Sequence, residues 1–198
     1  MSERDAGERD AGERDAPRAD HPEANPWRTV TRRVVYRNAW ITVEEDEVIR
    51  PDGRPGIYGV VRFPGCATGV VALDEADRLV LVGQFRYALG RYSWEIPEGS
   101  ADLDDPLRGA QRELLEETGL TADHWETLLR ADLSNSVTDE TVHVYLARGL
   151  TAGEARPEGT ERLQVRWVAF DEALAMVDDG RITDAISVMA IQAVALRR

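Results

Sequence analysis

The stretch Arg112-Glu113-Leu114-Leu115-Glu116-Glu117-Thr118-Gly119-Leu120 constrains this chain more than any other. It sets three carboxylates at i, i+3 and i+4, a spacing that a helix turns onto one face. Like charges that close repel one another, and a bound divalent cation would offset that cost. Gly119 supplies a stop for such a helix. Pro106, whose missing N–H costs nothing in a first turn, supplies the start, with Asp104 or Asp105 ahead of it as N-cap. A helix from 106 to about 118 that gathers carboxylates reads as a metal site and, through the metal, as a site for phosphate chemistry.

The rest of the chain narrows the setting. Its 198 residues suit one domain of ordinary size plus a tail, and a 42% hydrophobic content is enough for a core. The net charge of −13 excludes general nucleic-acid binding, which needs a basic surface to displace counterions, and excludes an anionic membrane as partner. A phosphorylated small molecule remains possible, because a cation such as Mg²⁺ bridges it to carboxylates. The lone cysteine, Cys66, has no disulfide partner in the chain, and the charged N-terminus has no apolar signal segment; both point to the cytoplasm. Cys66 reads as a buried or loop thiol rather than a nucleophile. His21, His124 and His143 have no partner at metal-ligand spacing and are assigned no site.

Residues 2–16 repeat Glu-Arg-Asp-Ala-Gly with almost no large apolar side chain, so residues 1–25 read as a disordered tail. Arg33–Tyr36, Trp40–Val43 and Ile57–Phe63, with a turn over 51–56, predict a small β-meander across residues 26–66. From 67 to 198, strands are predicted over Thr68–Leu73, Leu79–Gln84, Ser93–Pro97, Trp125–Ala131, Val142–Ala147 and Val165–Phe170. Helices follow, one capped by Asp171 and running to about Val177, the other over Asp184–Leu196. The pattern is α/β with a mixed sheet.

Gly99 through Leu120 resembles the Nudix box, G-x5-E-x7-R-E-U-x-E-E-x-G-U with U aliphatic. The second half matches at every specified position from Arg112 to Leu120. The first half departs: the early carboxylate position falls on Asp104, or on Asp105 if the register slips, and the loop after Gly99 is one residue short. The lead-in Ser93-Trp94-Glu95-Ile96-Pro97-Glu98-Gly99 resembles the Glu-Leu-Pro-Ala-Gly segment of ADP-ribose and nucleotide-sugar pyrophosphatases. Gln84-Phe85-Arg86-Tyr87 resembles their Gln-Tyr-Arg segment. The resemblance implies a Nudix α/β/α sandwich and a homodimer formed through the N-terminal sheet.

It also implies a reaction. Mg²⁺, or Mn²⁺, held by Glu113, Glu116 and Glu117 with help from the Gly99 carbonyl, neutralises a pyrophosphate for attack by water. Arg112 pairs with a box carboxylate and holds it. A general base must still take the proton from water. In related enzymes the loop corresponding to Leu133–Thr141 carries that Glu; Glu140 matches best, with Asp139 as the alternative. Arg86, Glu95 and Tyr87 are the substrate-binding candidates, and Tyr92 or Trp94 is a further candidate for stacking on a base. ADP-ribose-specific members carry a proline about fifteen residues past the box, where this chain has Asn135, which leaves other nucleoside-diphosphate sugars open. The expected products are a nucleoside monophosphate and a sugar phosphate. Two other functions share the fold: a sensor that binds a nucleotide sugar without cleaving it, and an enzyme that cleans nucleoside triphosphates.

Overall fold

The computed structural model describes residues 24–154 and 162–198. The repeat over 2–16, His21 and the expected disordered tail lie outside the described residues, except for the last two positions of that tail. The described chain opens with an antiparallel sheet of three strands, β1 (Arg28–Arg37), β2 (Thr42–Ile49) and β3 (Pro55–Arg62), in that order. This is the expected meander with longer strands. Thr, Arg and Glu fill the added positions, and the ladder pairs them through backbone groups irrespective of side chain.

Seven strands follow. β4 (Cys66–Ala72) is flanked by β7 (Glu98–Ala101), antiparallel, and by β9 (Thr141–Ala152), parallel; β8 (Leu120–Asp132) pairs β9 on its far side. A second sheet has the order β10 (Gln164–Ala169), β5 (Arg78–Arg86), β6 (Arg91–Glu95). One parallel pair among antiparallel ones makes the arrangement mixed. The strand β7 was not expected, since Glu-Gly-Ser-Ala has little strand propensity. Its register against β4, Thr68 opposite Gly99 and Gly69 opposite Glu98, is imposed by the neighbouring strand.

The sheet around β4 is covered on both faces. Val70 and Ala72 of β4 pack with Ala110 and Leu114 of α1 (Pro106–Thr118), while Val71 of β4 faces Phe170 and Met176 of α2 (Phe170–Asp178) and Ala190 and Ile191 of α3 (Ala185–Ala195). The alternation is what a strand buried on both sides requires, and it yields an α/β/α sandwich. Asp105 caps α1 by accepting from the Arg108 N–H at 3.2 Å, and Gly119 ends it at φ 73°, a conformation that disfavours any side chain. Asp171 does not cap α2. The N-cap is Ala169, and Asp171 sits in the first turn, where its charge suits the helix dipole. Asp184 caps α3, accepting from the Ser187 N–H at 2.7 Å; the buried Ser187 hydroxyl in turn accepts from the Ile96 N–H at 2.9 Å. That bond ties the start of α3 to the segment entering β7. Among the described residues, no helix is long and apolar enough to cross a membrane.

Candidate active site

Glu113, Glu116 and Glu117 lie on the α1 turn that faces β7, and each has a distinct setting. Glu117 is 3% exposed and accepts the Glu98 N–H at 3.0 Å, so a buried carboxylate locks the helix to the strand. Glu113 lies flat against Gly99: a Cβ there would come within 2.2 Å of the Glu113 Cδ and 2.3 Å of its Oε1. Only glycine permits that approach. Arg112 binds Glu113 Oε1 at 2.5 Å and the Ser100 carbonyl at 2.6 Å, and reaches Glu116 Oε2 at 3.4 Å. The guanidinium thus cross-braces two carboxylates to β7. Carboxylate oxygens are hard donors of the kind Mg²⁺ and Mn²⁺ prefer, but among the described residues it is Glu95, Glu98 and Asp184, and not these three, whose ligand atoms converge to within 4.8 Å. The early box carboxylates take no part in this: Asp105 is committed to capping, and Asp104 is exposed.

Gly99 also lines a cleft of about 420 Å³, together with Arg86, Glu98, Ser100, Glu140, Trp40 and Phe63. That volume is within the range of small-molecule sites. Glu140 ends the loop from 133 to 140, which closes through Leu133 N–H to the Glu140 carbonyl at 2.8 Å. Burial pushes its carboxyl above the usual range, and the neighbouring Asp139 charge adds to the rise. Asp139 is turned away from the cleft and pairs with Arg62 at 2.9 Å. Trp40, 73% exposed, and Phe63 come from the N-terminal segment. Sequence reasoning passed over both, because strand propensity explained them without any function. Tyr87 is 95% exposed in a short 3₁₀ turn, and Tyr92 and Trp94 pack edge to face on one another; none of the three lines the cleft.

Arg86 is held by a buried acidic cluster. It meets Glu95 in a two-pronged contact, with Nε at 3.0 Å and Nη2 at 2.5 Å, and reaches Glu98 Oε1 at 2.9 Å. Glu95, Glu98 and Asp184 bring ligand atoms within 4.8 Å of one another, the arrangement of a cation site, but the Arg86 guanidinium already bonds two of them. One guanidinium does not neutralise three carboxylates. Burial, with the Asp184 and Glu95 charges adding to it, drives the Glu98 carboxyl well above the usual range. Sequence reasoning missed Glu98 and Asp184. A signal was present, since Glu98 stands where the resembled lead-in has Ala.

The NUDIX domain model matches residues 64–187, and the nucleoside diphosphate sugar hydrolase N-terminal domain model matches residues 27–61. The chain belongs to the Nudix family. A relative described as ADP-ribose pyrophosphatase, from Mycobacterium tuberculosis (strain H37Rv), is 33% identical over 171 residues, 84% of this chain and 82% of its own length. A methanol dehydrogenase activator from Bacillus methanolicus is 32% identical over 168 residues, 83% of this chain and 90% of its own. A solved structure described as an ADP compounds hydrolase superposes with a TM-score of 0.75 at 20% identity, covering 86% of this chain and 92% of that one, and shows the same fold. As a Nudix hydrolase, the protein acts on pyrophosphate bonds.

Cys66 is the buried thiol that the sequence predicts. Burial pushes its thiol up, away from the reactive thiolate. Gly99 is the position most open to a sharp test. Gly99→Ala is expected to weaken Mn²⁺ binding about 10–100-fold, the usual effect of disturbing a ligand's support. Calorimetric titration measures this, with an unchanged circular dichroism spectrum as control; parental Mn²⁺ affinity would show that the Glu113–Gly99 contact has no bearing on the ion.

Proposed function

We propose that this Nudix hydrolase cleaves the pyrophosphate of ADP-ribose or a related nucleoside-diphosphate sugar, using a divalent cation, to give a nucleoside monophosphate and a sugar phosphate. The observation that carries this reading is one cleft with Gly99, beside the α1 carboxylates, on one wall and Glu140 on another. Relatives that include ADP-ribose and GDP-mannose pyrophosphatases support the substrate class. Glu113, Glu116 and Glu117, with the Gly99 carbonyl, would hold Mg²⁺ or Mn²⁺, which supplies charge neutralisation at phosphorus and orientation of water.

The remaining work falls to the chain's own side chains. Arg112 keeps Glu113 and Glu116 apart and aimed at β7. Glu140 accepts the proton of the attacking water, and its raised pKa matches it to that proton better than an ordinary carboxylate. Arg86, held by Glu95 and Glu98, offers its remaining N–H groups to a phosphate or sugar oxygen. Trp40 and Phe63 provide flat apolar surface at the cleft for a base. The exposed Val30, Val34, Val35 and Tyr36 of β1 support a homodimer through the N-terminal sheet; sedimentation is expected to give twice the monomer mass, and a monomer at micromolar concentration would remove that part of the reading.

Glu117→Gln is expected to abolish turnover while the fold persists, and parental turnover would remove the metal assignment. Glu140→Gln is expected to lower kcat by about 10²–10⁴-fold. In the parent, turnover should fall as pH drops through the raised Glu140 pKa, because the base must be ionised. A loss below tenfold in the variant would exclude Glu140 as base. ADP-ribose, ADP-glucose, GDP-mannose, dinucleotides and nucleoside triphosphates, each offered with Mg²⁺ and followed by phosphate release after phosphatase, test the substrate class. Release from nucleoside-diphosphate sugars is expected. Silence across the panel would favour a sensor, and release from triphosphates alone would favour nucleotide cleaning.

A further inference from the structure

The loop that carries Glu140 is fastened to the N-terminal sheet. The Val61 N–H of β3 donates to the Val137 carbonyl at 2.8 Å, and Val61 pairs with Thr138 in a parallel bridge. The Tyr58 hydroxyl donates to the Ser136 carbonyl at 2.7 Å. The last residue of β3, Arg62, reaches the loop with its side chain: Nη1 lies 2.9 Å from Asp139 and Nε 3.0 Å from Glu44 on β2. Charges alternate beyond it, since Arg32 on β1 meets Glu44 at 3.5 Å and Asp46 at 2.8 Å. A ladder of ion pairs therefore crosses the N-terminal sheet and ends one residue from the proposed base.

We propose that Arg62 is a positioning residue for hydrolysis, through which the N-terminal sheet holds the 133–140 loop and sets the Glu140 carboxylate toward the reacting water. This rests on the reading of Glu140 as the base. Arg62 acts in two ways. Its bond to Asp139 fixes the backbone just before Glu140, and its charge faces the one carboxylate whose field acts on Glu140. The other charged side chains lining the cleft with Glu140 are Glu98 on β7 and Arg86 on β5, and they are bonded to one another. A partly exposed ion pair such as Arg62–Asp139 adds little to global stability, so its removal is expected to show in turnover and not in unfolding.

The test uses the full chain, with pH–kcat profiles and thermal unfolding for Arg62→Met, Asp139→Asn, the double variant and Glu140→Gln. Arg62→Met is expected to lower plateau kcat about 10–100-fold, the usual result of a slightly misplaced catalytic group, with KM little changed. Its acid limb should move to higher pH, because Asp139 then stands unneutralised beside Glu140. In the double variant the limb should return to the parental position or below it, while the plateau stays low because the tie is still missing. A structural role alone would shift the unfolding temperature and leave the limb in place. An Arg62→Met profile that overlays the parent while Glu140→Gln is inactive overturns this proposal alone. Parental turnover in Glu140→Gln overturns the assignment of the base and this proposal with it.

Discussion

The joint between α1 and β7 carries the site. Glu117 is buried, and a buried carboxylate is costly unless a donor meets it; the Glu98 N–H is that donor. One turn away, Glu113 rests on the bare Cα of Gly99, and Arg112 pins the same strand through the Ser100 carbonyl. Rotating the helix or sliding it along the strand would break all three contacts together. The helix therefore has one position on the sheet, and that position is set by the carboxylates that would hold the ion. Stability and chemistry depend here on the same side chains. The shortened box loop leaves this joint whole because its missing residue lies in the turn between β7 and α1, outside every one of these contacts.

What could be foreseen from the chain divides by the range of the interactions. The α1 helix, its proline start and its glycine stop were legible because each signal is local and close to its effect. The N-cap choice between Asp104 and Asp105, open in the sequence, was resolved by which of them reaches the Arg108 N–H. β7 was invisible because Glu-Gly-Ser-Ala becomes a strand only where β4 dictates it. The cap of α2 went to Ala169 instead of Asp171 because the helix starts directly off the end of β10. At the site, the α1 carboxylates and the Arg86–Glu95 pair could be named from spacing and resemblance. Asp184 and Arg62 could not, since each matters through a partner far away in the chain, and Glu98 showed only as a departure from the Ala of the resembled lead-in.

The Arg86 cluster shows a second use of carboxylates in the same protein. On α1 they are spread along one turn and braced by Arg112. Around Arg86 they are packed, and burial with mutual repulsion pushes the Glu98 carboxyl well above the usual range.

The pairing around β4 has a geometric consequence. Thr68 lies between Gly99 on β7 and His143 on β9, so the strand that carries Gly99 and the strand that follows Glu140 are the two neighbours of one strand. Adjacent strands stand about 4.8 Å apart, which places the backbones of β7 and β9 about 10 Å from each other. That gap is a fixed number of ladder steps, and side-chain replacement does not alter it. The separation of these two strands is therefore measured out by the hydrogen-bond spacing of the sheet. Side-chain length is left as the fine adjustment: a carboxylate one methylene shorter or longer at the edge of the gap changes reach, while the span itself belongs to the backbone.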